Sequence, residues 1–286
     1  VDSVLICPVK INVTLRILKR RPDGYHELFS SFWKKNGTER LTIREVCGEN
    51  IADRLKTTGA LIRGENILTK VLTAARKDGA HIPALEMLLE KDYPQGSGIG
   101  AGSGNAAALA CFLKNRHGAF GDRREIAKLG ADVAFLADGA DLSYAGGIGE
   151  RLEPQEGVGG LCWTLAFPSW QSNTAEAYAA LDRQRNSDSP ELTAADSCRR
   201  EADVILAKLR NGEKAGLLPN DFLSVARAQH PEYDEALDAA ADDSLACGLC
   251  GSGSAVFAVC GNRREAEKVG RIFETFDWII KTSILE

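Results

Sequence analysis

Apolar and polar positions alternate almost from the first residue. Val4, Leu5 and Ile6 lead into Ile11, Val13, Leu15 and Ile17, the period of a half-buried strand. Arg20-Arg21-Pro22-Asp23-Gly24 carries proline and glycine where a tight reversal wants them. Residues 28–33 and 41–46 predict two further strands, separated by the turn dipeptide Asn36-Gly37. Behind Asn66 the apolar positions change period. Ile67, Leu68, Val71, Leu72 and Ala75 fall on one helical face, and residues 84–89 return to strand character. A glycine-rich stretch then feeds a strong helix former over 106–113, and residues 122–136 predict one more helix, with Ile126, Leu129 and Val133 on its face. Beyond Glu150 the pattern predicts a strand over 162–167, helices over 174–182, 196–210 and 220–228, a strand over 255–260, a helix over 263–275 and a closing strand over 278–284. A β-rich half and an α+β half therefore meet around residues 150–160, without internal repeats.

Composition narrows the class. A chain of 286 residues is about two domains long, and 44% apolar with 26% charged residues suits a globular protein rather than a disordered one. No run reaches the 18 apolar residues of a membrane span, so no membrane partner is expected. A net charge of −5 speaks against a general nucleic-acid binder. The opening residues lack the basic and long apolar regions of a secretory signal, so a cytoplasmic location is the expectation. Eight cysteines are scattered without the density of a disulfide framework. Cys247 and Cys250 form a lone C-x-x-C with no second pair and no nearby histidine, a weak zinc signal; small buried residues in a reducing compartment are the plainer reading.

The chemistry concentrates in Pro94-Gln95-Gly96-Ser97-Gly98-Ile99-Gly100-Ala101-Gly102-Ser103-Gly104-Asn105. Five glycines between Gly96 and Gly104, leading into a helix, exceed what a turn requires. Backbone N–H groups without Cβ atoms around them approach an oxyanion closely, and a helix N-terminus favours negative charge. No Gly-Lys-Ser/Thr closes the loop as in a P-loop, and no acidic residue follows at dinucleotide-fold spacing. Phosphate cradling, with Ser103 as a hydroxyl to phosphate or Mg²⁺, competes with a flexible hinge. A second cluster, Gly251-Ser252-Gly253-Ser254, is weak alone and beside the first suggests another wall of one phosphate-handling cleft.

Three of these segments, Pro8-Val9-Lys10-Ile11-Asn12, the 94–105 loop and Gly251-Ser252-Gly253-Ser254, resemble the three motifs of the GHMP kinases. Asp23-Gly24-Tyr25-His26-Glu27-Leu28, Leu129-Gly130-Ala131-Asp132-Val133, residues 172–178 and Pro219-Asn220-Asp221-Phe222 resemble the branch that phosphorylates a cytidine-diphosphate polyol in the non-mevalonate isoprenoid route. The resemblance implies an α+β, two-domain GHMP kinase fold: an N-terminal domain like ribosomal protein S5 domain 2 over residues 1–155, and a C-terminal ferredoxin-like α/β sandwich over 156–286, with the active site in the cleft between them. It implies ATP and Mg²⁺, the phosphates lying along Pro94, Gly96, Ser97, Gly98, Gly100, Ala101, Gly102, Ser103 and Gly104. Asn66 and Lys91 fall at the adenine end, and Ser103 at the metal. Lys10 and Asp132 match the catalytic pair. Asn12 falls beside the substrate hydroxyl, Tyr25 and Tyr178 around the cytosine, and His26 at the base edge. The partner implied is a small molecule, taken by a monomer or weak homodimer.

These residue types suit the reaction. Phosphoryl transfer to an alcohol needs alignment and charge stabilisation, with a carboxylate to accept the hydroxyl proton and a neighbouring ammonium to keep that carboxylate ionised. Taken alone, Lys10 reads as a strand lysine reaching solvent and Asp132 as a surface acid. Two departures stand out: Gly104 replaces the second serine of the family loop, and Ala134 replaces a proline after the catalytic acid. Another GHMP kinase, of homoserine or mevalonate type, and a catalytically silent relative acting as a binding module are the alternatives.

Overall fold

In a computed structural model, which describes residues 2–46, 51–121, 123–188, 195–276 and 279–286, the alternating opening becomes one long strand. This strand, β1 (Ser3–Arg20), pairs with β2 (His26–Val46). The predicted turn at Asn36-Gly37 is absent, and β2 runs straight through it. Gly37 serves close packing instead: a Cβ there would lie 2.7 Å from the Cys7 carbonyl oxygen and 3.2 Å from the Tyr93 ring. A glycine inside a strand marks such an approach as readily as a turn.

Each of two units is assembled from separate stretches of chain, and both β1 and β2 contribute to each. The first comprises Val1–Lys10, Lys34–Gln95 and Gly100–Gly139. In it β3 (Arg54–Gly59) lies parallel to β4 (Ala84–Lys91), which pairs antiparallel with the second half of β2, Leu41 facing Leu89. Its edge position explains why β3 has no apolar pattern, since most of its side chains face solvent. Helix α1 (Ile67–Lys77) starts where Asn66 predicts. The Asn66 side chain accepts from the Leu68 N–H, and Leu68, Val71, Leu72 and Ala75 are buried. It packs on α2 (Ala101–His117), which begins five residues before the helix expected at 106. The single helix expected over 122–136 is two, α3 (Arg123–Ala127) and α4 (Ala131–Leu136), because Gly130 adopts φ +151°, a conformation that breaks the helix and suits only glycine; residue 122 lies outside the described residues.

The second unit comprises Ile11–Trp33, Gly96–Ile99 and Ala140–Glu286. The first half of β2 pairs with β5 (Leu142–Gly146), and β5 with β6 (Arg151–Pro154). There follow β7 (Cys162–Pro168), α5 (Thr174–Asp188), α6 (Ala195–Arg210), β8 (Gly216–Leu217), α7 (Leu223–Gln229), α8 (Glu232–Asp243), β9 (Ala246–Leu249), β10 (Val256–Cys260), α9 (Arg263–Glu274) and β11 (Ile279–Leu285). Trp278, expected to open the last strand, lies outside the described residues. A second sheet runs β11-β7-β10-β9-β8, with α8 and α9 against it. Every position of β7 and β10 is buried, so both read as continuous apolar runs rather than alternating ones. Among the described residues no helix is long and apolar enough to cross a membrane.

Cys7, Cys247 and Cys260 are part of these cores. Cys247 donates from Sγ to the Leu237 carbonyl, 3.4 Å away. Burial pushes Cys7 up to about 11, and Cys247 and Cys260 up to about 12. At pH 8 all three then stay as unreactive thiols. Intact-mass analysis of folded protein in iodoacetamide at pH 8 is expected to show them unmodified while a small peptide thiol is consumed; prompt alkylation would contradict their burial.

Candidate active site

On β1 the inward-facing Lys10 is only 4% exposed, and its ammonium lies 3.6 Å from Oδ2 of Asp132. That separation is an ion pair rather than a close hydrogen bond. Asp132 sits in the first turn of α4. Gly100 lies against both side chains. A Cβ on it would meet Lys10 Cγ at 3.4 Å, Asp132 Oδ2 at 3.5 Å and Leu136 at 3.4 Å, and its φ is +69°. Gly100 also caps α2, so the open N–H groups of Ala101, Gly102 and Ser103 begin beside the pair. Gly104 explains the missing serine, because a Cβ there would stand 1.8 Å from the Pro8 carbonyl oxygen. Helix α2 approaches β1 too closely for any side chain at that position.

The ends of this loop are tied together by a residue the sequence did not single out. Glu39 is fully buried on β2 and accepts the Lys91 ammonium at 2.6 Å, the Asn105 amide at 2.7 Å and the backbone N–H groups of Asp92 and Tyr93. Lys91 also donates to Asn105 Oδ1 at 3.2 Å. Removing one partner from a pair this buried costs about 3–5 kcal/mol. Lys91 thus joins the exit of β4 to the second turn of α2, while Asn66 spends its side-chain oxygen on the α1 cap. Pro94 is half-buried on the segment between.

In the second unit Gly96 lies against the Ser172 carbonyl, while Ser97 and Gly98 meet the other glycine cluster. A Cβ on Gly98, whose φ is +82°, would lie 1.9 Å from the Cys250 carbonyl oxygen, and the Ala255 N–H donates to the Ser97 carbonyl at 3.0 Å. Two buried asparagines grip that cluster. Asn12 donates to Ser30 Oγ at 2.8 Å and accepts from the Gly251 N–H at 3.1 Å. Asn220 donates to the carbonyls of Leu249 and Gly251 at 3.0 and 2.9 Å.

The same unit holds the aromatic residues. Tyr25 is 62% exposed after the turn at Asp23, whose Oδ1 accepts from the Tyr25 N–H. The ring resting on Tyr178 is that of His26, with centroids 5.0 Å apart and planes 21° from parallel. His26 Nε2 is 2.8 Å from Asp182 Oδ1. Asp182 follows Tyr178 by four residues on α5 and so shares its face; that spacing was the available signal. The helix is braced by Arg185, which donates to the Ile17 carbonyl at 2.7 Å and to Asp221 at 2.6 Å. Asp221 also accepts from Arg16 at 2.9 Å, giving Asn220-Asp221 a structural role on each side of the motif. Among the described residues no three His, Cys, Asp or Glu side chains gather as a metal-binding group.

A buried ammonium beside a carboxylate, flanked by a glycine-capped helix N-terminus, is an arrangement that suits phosphoryl transfer. The GHMP kinases N terminal domain matches residues 66–147, and the GHMP kinases C terminal domain matches 194–277. A 4-diphosphocytidyl-2-C-methyl-D-erythritol kinase from Solidesulfovibrio magneticus is 32% identical over 282 residues, covering 93% of this chain and 90% of the relative. The crystal structure of a 4-(cytidine 5'-diphospho)-2C-methyl-D-erythritol kinase superposes with TM-score 0.78 at 27% identity, over 99% of this chain and 98% of that one. A homoserine kinase from Cytophaga hutchinsonii superposes with TM-score 0.61 at 16% identity over 100% of this chain and 94% of its own, a likeness of fold alone. The chain belongs to the GHMP kinases, in the family of the 4-diphosphocytidyl-2-C-methyl-D-erythritol kinases.

Proposed function

We propose that this protein transfers the γ-phosphoryl group of ATP to the 2-hydroxyl of 4-diphosphocytidyl-2-C-methyl-D-erythritol, in the cytoplasm and in the non-mevalonate route to isoprenoid precursors. The observation that carries the reading is the Lys10–Asp132 pair, 3.6 Å apart with Gly100 against it. In this reading Asp132 accepts the hydroxyl proton as the oxygen attacks, and Lys10, 3.6 Å from Asp132, offsets the charge growing on that oxygen. The N–H groups at the start of α2 and the glycines at 96, 98 and 100 hold the triphosphate. Mg²⁺ would ride on the phosphate oxygens with the half-buried Ser103 hydroxyl as its protein contact, since a lone hydroxyl suits an ion that keeps its waters; when bound it neutralises phosphate charge. Asn12 orders the substrate end through Gly251, and Tyr25, His26 and Tyr178 receive the cytosine.

A coupled ADP-release assay offers the cytidine-diphosphate polyol, homoserine and mevalonate in turn. Turnover of the first alone is expected; turnover of either other acceptor at a similar rate overturns the assignment. Tyr25→Ala is expected to raise KM for the cytidine substrate about 10-fold or more, given roughly 1–3 kcal/mol per base–aromatic stack, and to leave KM for ATP nearly unchanged. Equal changes in both constants would remove Tyr25 from the base.

A further inference from the structure

We propose that Asp182 determines which pyrimidine this site accepts, by fixing the hydrogen-bonding polarity of His26. The inference rests on the reading that His26 meets the cytosine, and adds to it the residue that sets what His26 can recognise.

A neutral imidazole has one nitrogen that donates and one that accepts, and the partner of the first decides the character of the second. The partner here is a carboxylate. Asp182 Oδ1 lies 2.8 Å from His26 Nε2, and an ionised carboxylate only accepts, so the ring proton belongs on Nε2. Nδ1 is then left with its lone pair. An acceptor at that point matches the exocyclic amine of cytosine and meets the carbonyl oxygen of uracil lone pair to lone pair. The two bases differ in hydrogen-bonding polarity at that ring position, so a histidine of fixed polarity can discriminate between them. A histidine free to exchange tautomers would present a donor or an acceptor to suit either base.

The surroundings hold this arrangement in place. The His26 side chain is only 8% exposed, and its ring is stacked on Tyr178, which itself stands edge-on to Phe222 at 4.8 Å. Tyr178 and Asp182 lie one turn apart on α5, so one helix supplies both the face on which His26 rests and the acceptor for its proton. Arg185, three residues further on, ties that turn to the Ile17 carbonyl and to Asp221. Asp221 also accepts from the Ile17 N–H at 2.7 Å and from Arg16. The strand that leads towards His26 and the helix that polarises it are thereby locked in one register. Arg20 approaches the other oxygen of Asp182 at 3.9 Å. Asp182 is a positioning residue in this scheme, acting through His26 rather than on the reacting atoms.

The test compares kcat/KM for the cytidine-diphosphate substrate and its uridine-diphosphate analogue in the wild-type enzyme, Asp182→Asn and Asp182→Ala. An asparagine can offer Nε2 an oxygen or an N–H, so either tautomer is served. Asp182→Asn is expected to lower the cytidine-to-uridine ratio about 10-fold or more, the worth of one hydrogen bond whose polarity no longer matches, with the loss in KM for the nucleotide-linked substrate and ATP KM unchanged. Asp182→Ala is expected to lower the ratio similarly. A ratio unchanged from wild type in both variants overturns the proposal, even if overall activity falls. Nitrogen-15 chemical shifts of the His26 ring in the wild-type protein give a readout independent of turnover. The Nε2–H form is expected; a ring carrying a proton on Nδ1, as the other tautomer or as imidazolium, also overturns it. A wild-type enzyme that turns over neither nucleotide-linked substrate while the ring shows the Nε2–H form defeats the substrate reading and the recognition proposal built on it, and leaves only the polarity of His26 standing.

Discussion

Asp132→Asn is expected to lower kcat by about 10²–10⁴ with little change in either KM, the range that general-base assistance supplies. The substitution keeps the size of the side chain and its place in the first turn of α4, so binding contacts persist. What goes is the negative charge 3.6 Å from a lysine that is only 4% exposed. The Lys10 ammonium then loses this carboxylate, and the attacking hydroxyl has no base. Lys10→Met removes the other half of the pair. If the two act as a unit, the double variant is expected to be little worse than the poorer single one, because groups that work together are strongly non-additive. Steady-state kinetics on the four proteins measures this, with single-turnover experiments to separate chemistry from product release. Near wild-type kcat in Asp132→Asn would leave the ion pair as a structural feature only. Multiplicative losses would mean that the two residues act separately.

Gly104→Ser restores the second serine of the family loop and is expected to damage this protein. A Cβ at 104 would lie 1.8 Å from the Pro8 carbonyl oxygen and 3.0 Å from its carbon, and the obstruction is backbone, which no rotamer change relieves. Helix α2 must move off β1. Overpacking of this kind typically costs about 1–3 kcal/mol, and in a unit of this size each kcal/mol lowers Tm by roughly 4 °C. The movement also carries Gly100 away from Lys10 and Asp132, so kcat/KM for ATP is expected to fall along with Tm. Gly102→Ala is the control. A Cβ there meets nothing within 4 Å, and the residue lies within α2, so Tm is expected to hold or rise, by the equivalent of about 0.4–1 kcal/mol. Calorimetry on both variants tests the pair of expectations. A Gly104→Ser protein as stable as wild type would show that the approach of α2 to β1 is not tight in solution.

The serine lost at 104 illustrates what the sequence concealed. Read alone, Gly104 was a departure that put a phosphate or metal ligand in doubt; in place, it is the point of contact between a helix and a strand carbonyl. Gly37 misled in the opposite direction. Its dipeptide Asn36-Gly37 has turn chemistry, yet the glycine lies inside β2 because Cys7 and Tyr93 leave no room for a side chain. Gly130 broke a predicted helix through φ +151°, a backbone state that the apolar spacing of Ile126, Leu129 and Val133 cannot report. Each of these glycines has a tertiary reason, and local propensity cannot distinguish close approach from a turn or a break.

Periodicity by itself determined the long first strand, the Asn66-capped helix and the buried runs of β7 and β10, because burial on one face or on both writes itself directly into the order of apolar residues. Motif text determined the family and named the lysine, the aspartate and the glycine loop. Only the tertiary structure decided that Lys10 and Asp132 meet, that Glu39 ties the ends of the loop, that Asn220 holds the second glycine cluster, and that Asp182 stands behind His26. Those partners lie between 29 and 156 residues apart along the chain, and polar pairing at such separations leaves no period in the sequence, since its energy depends on distance in space.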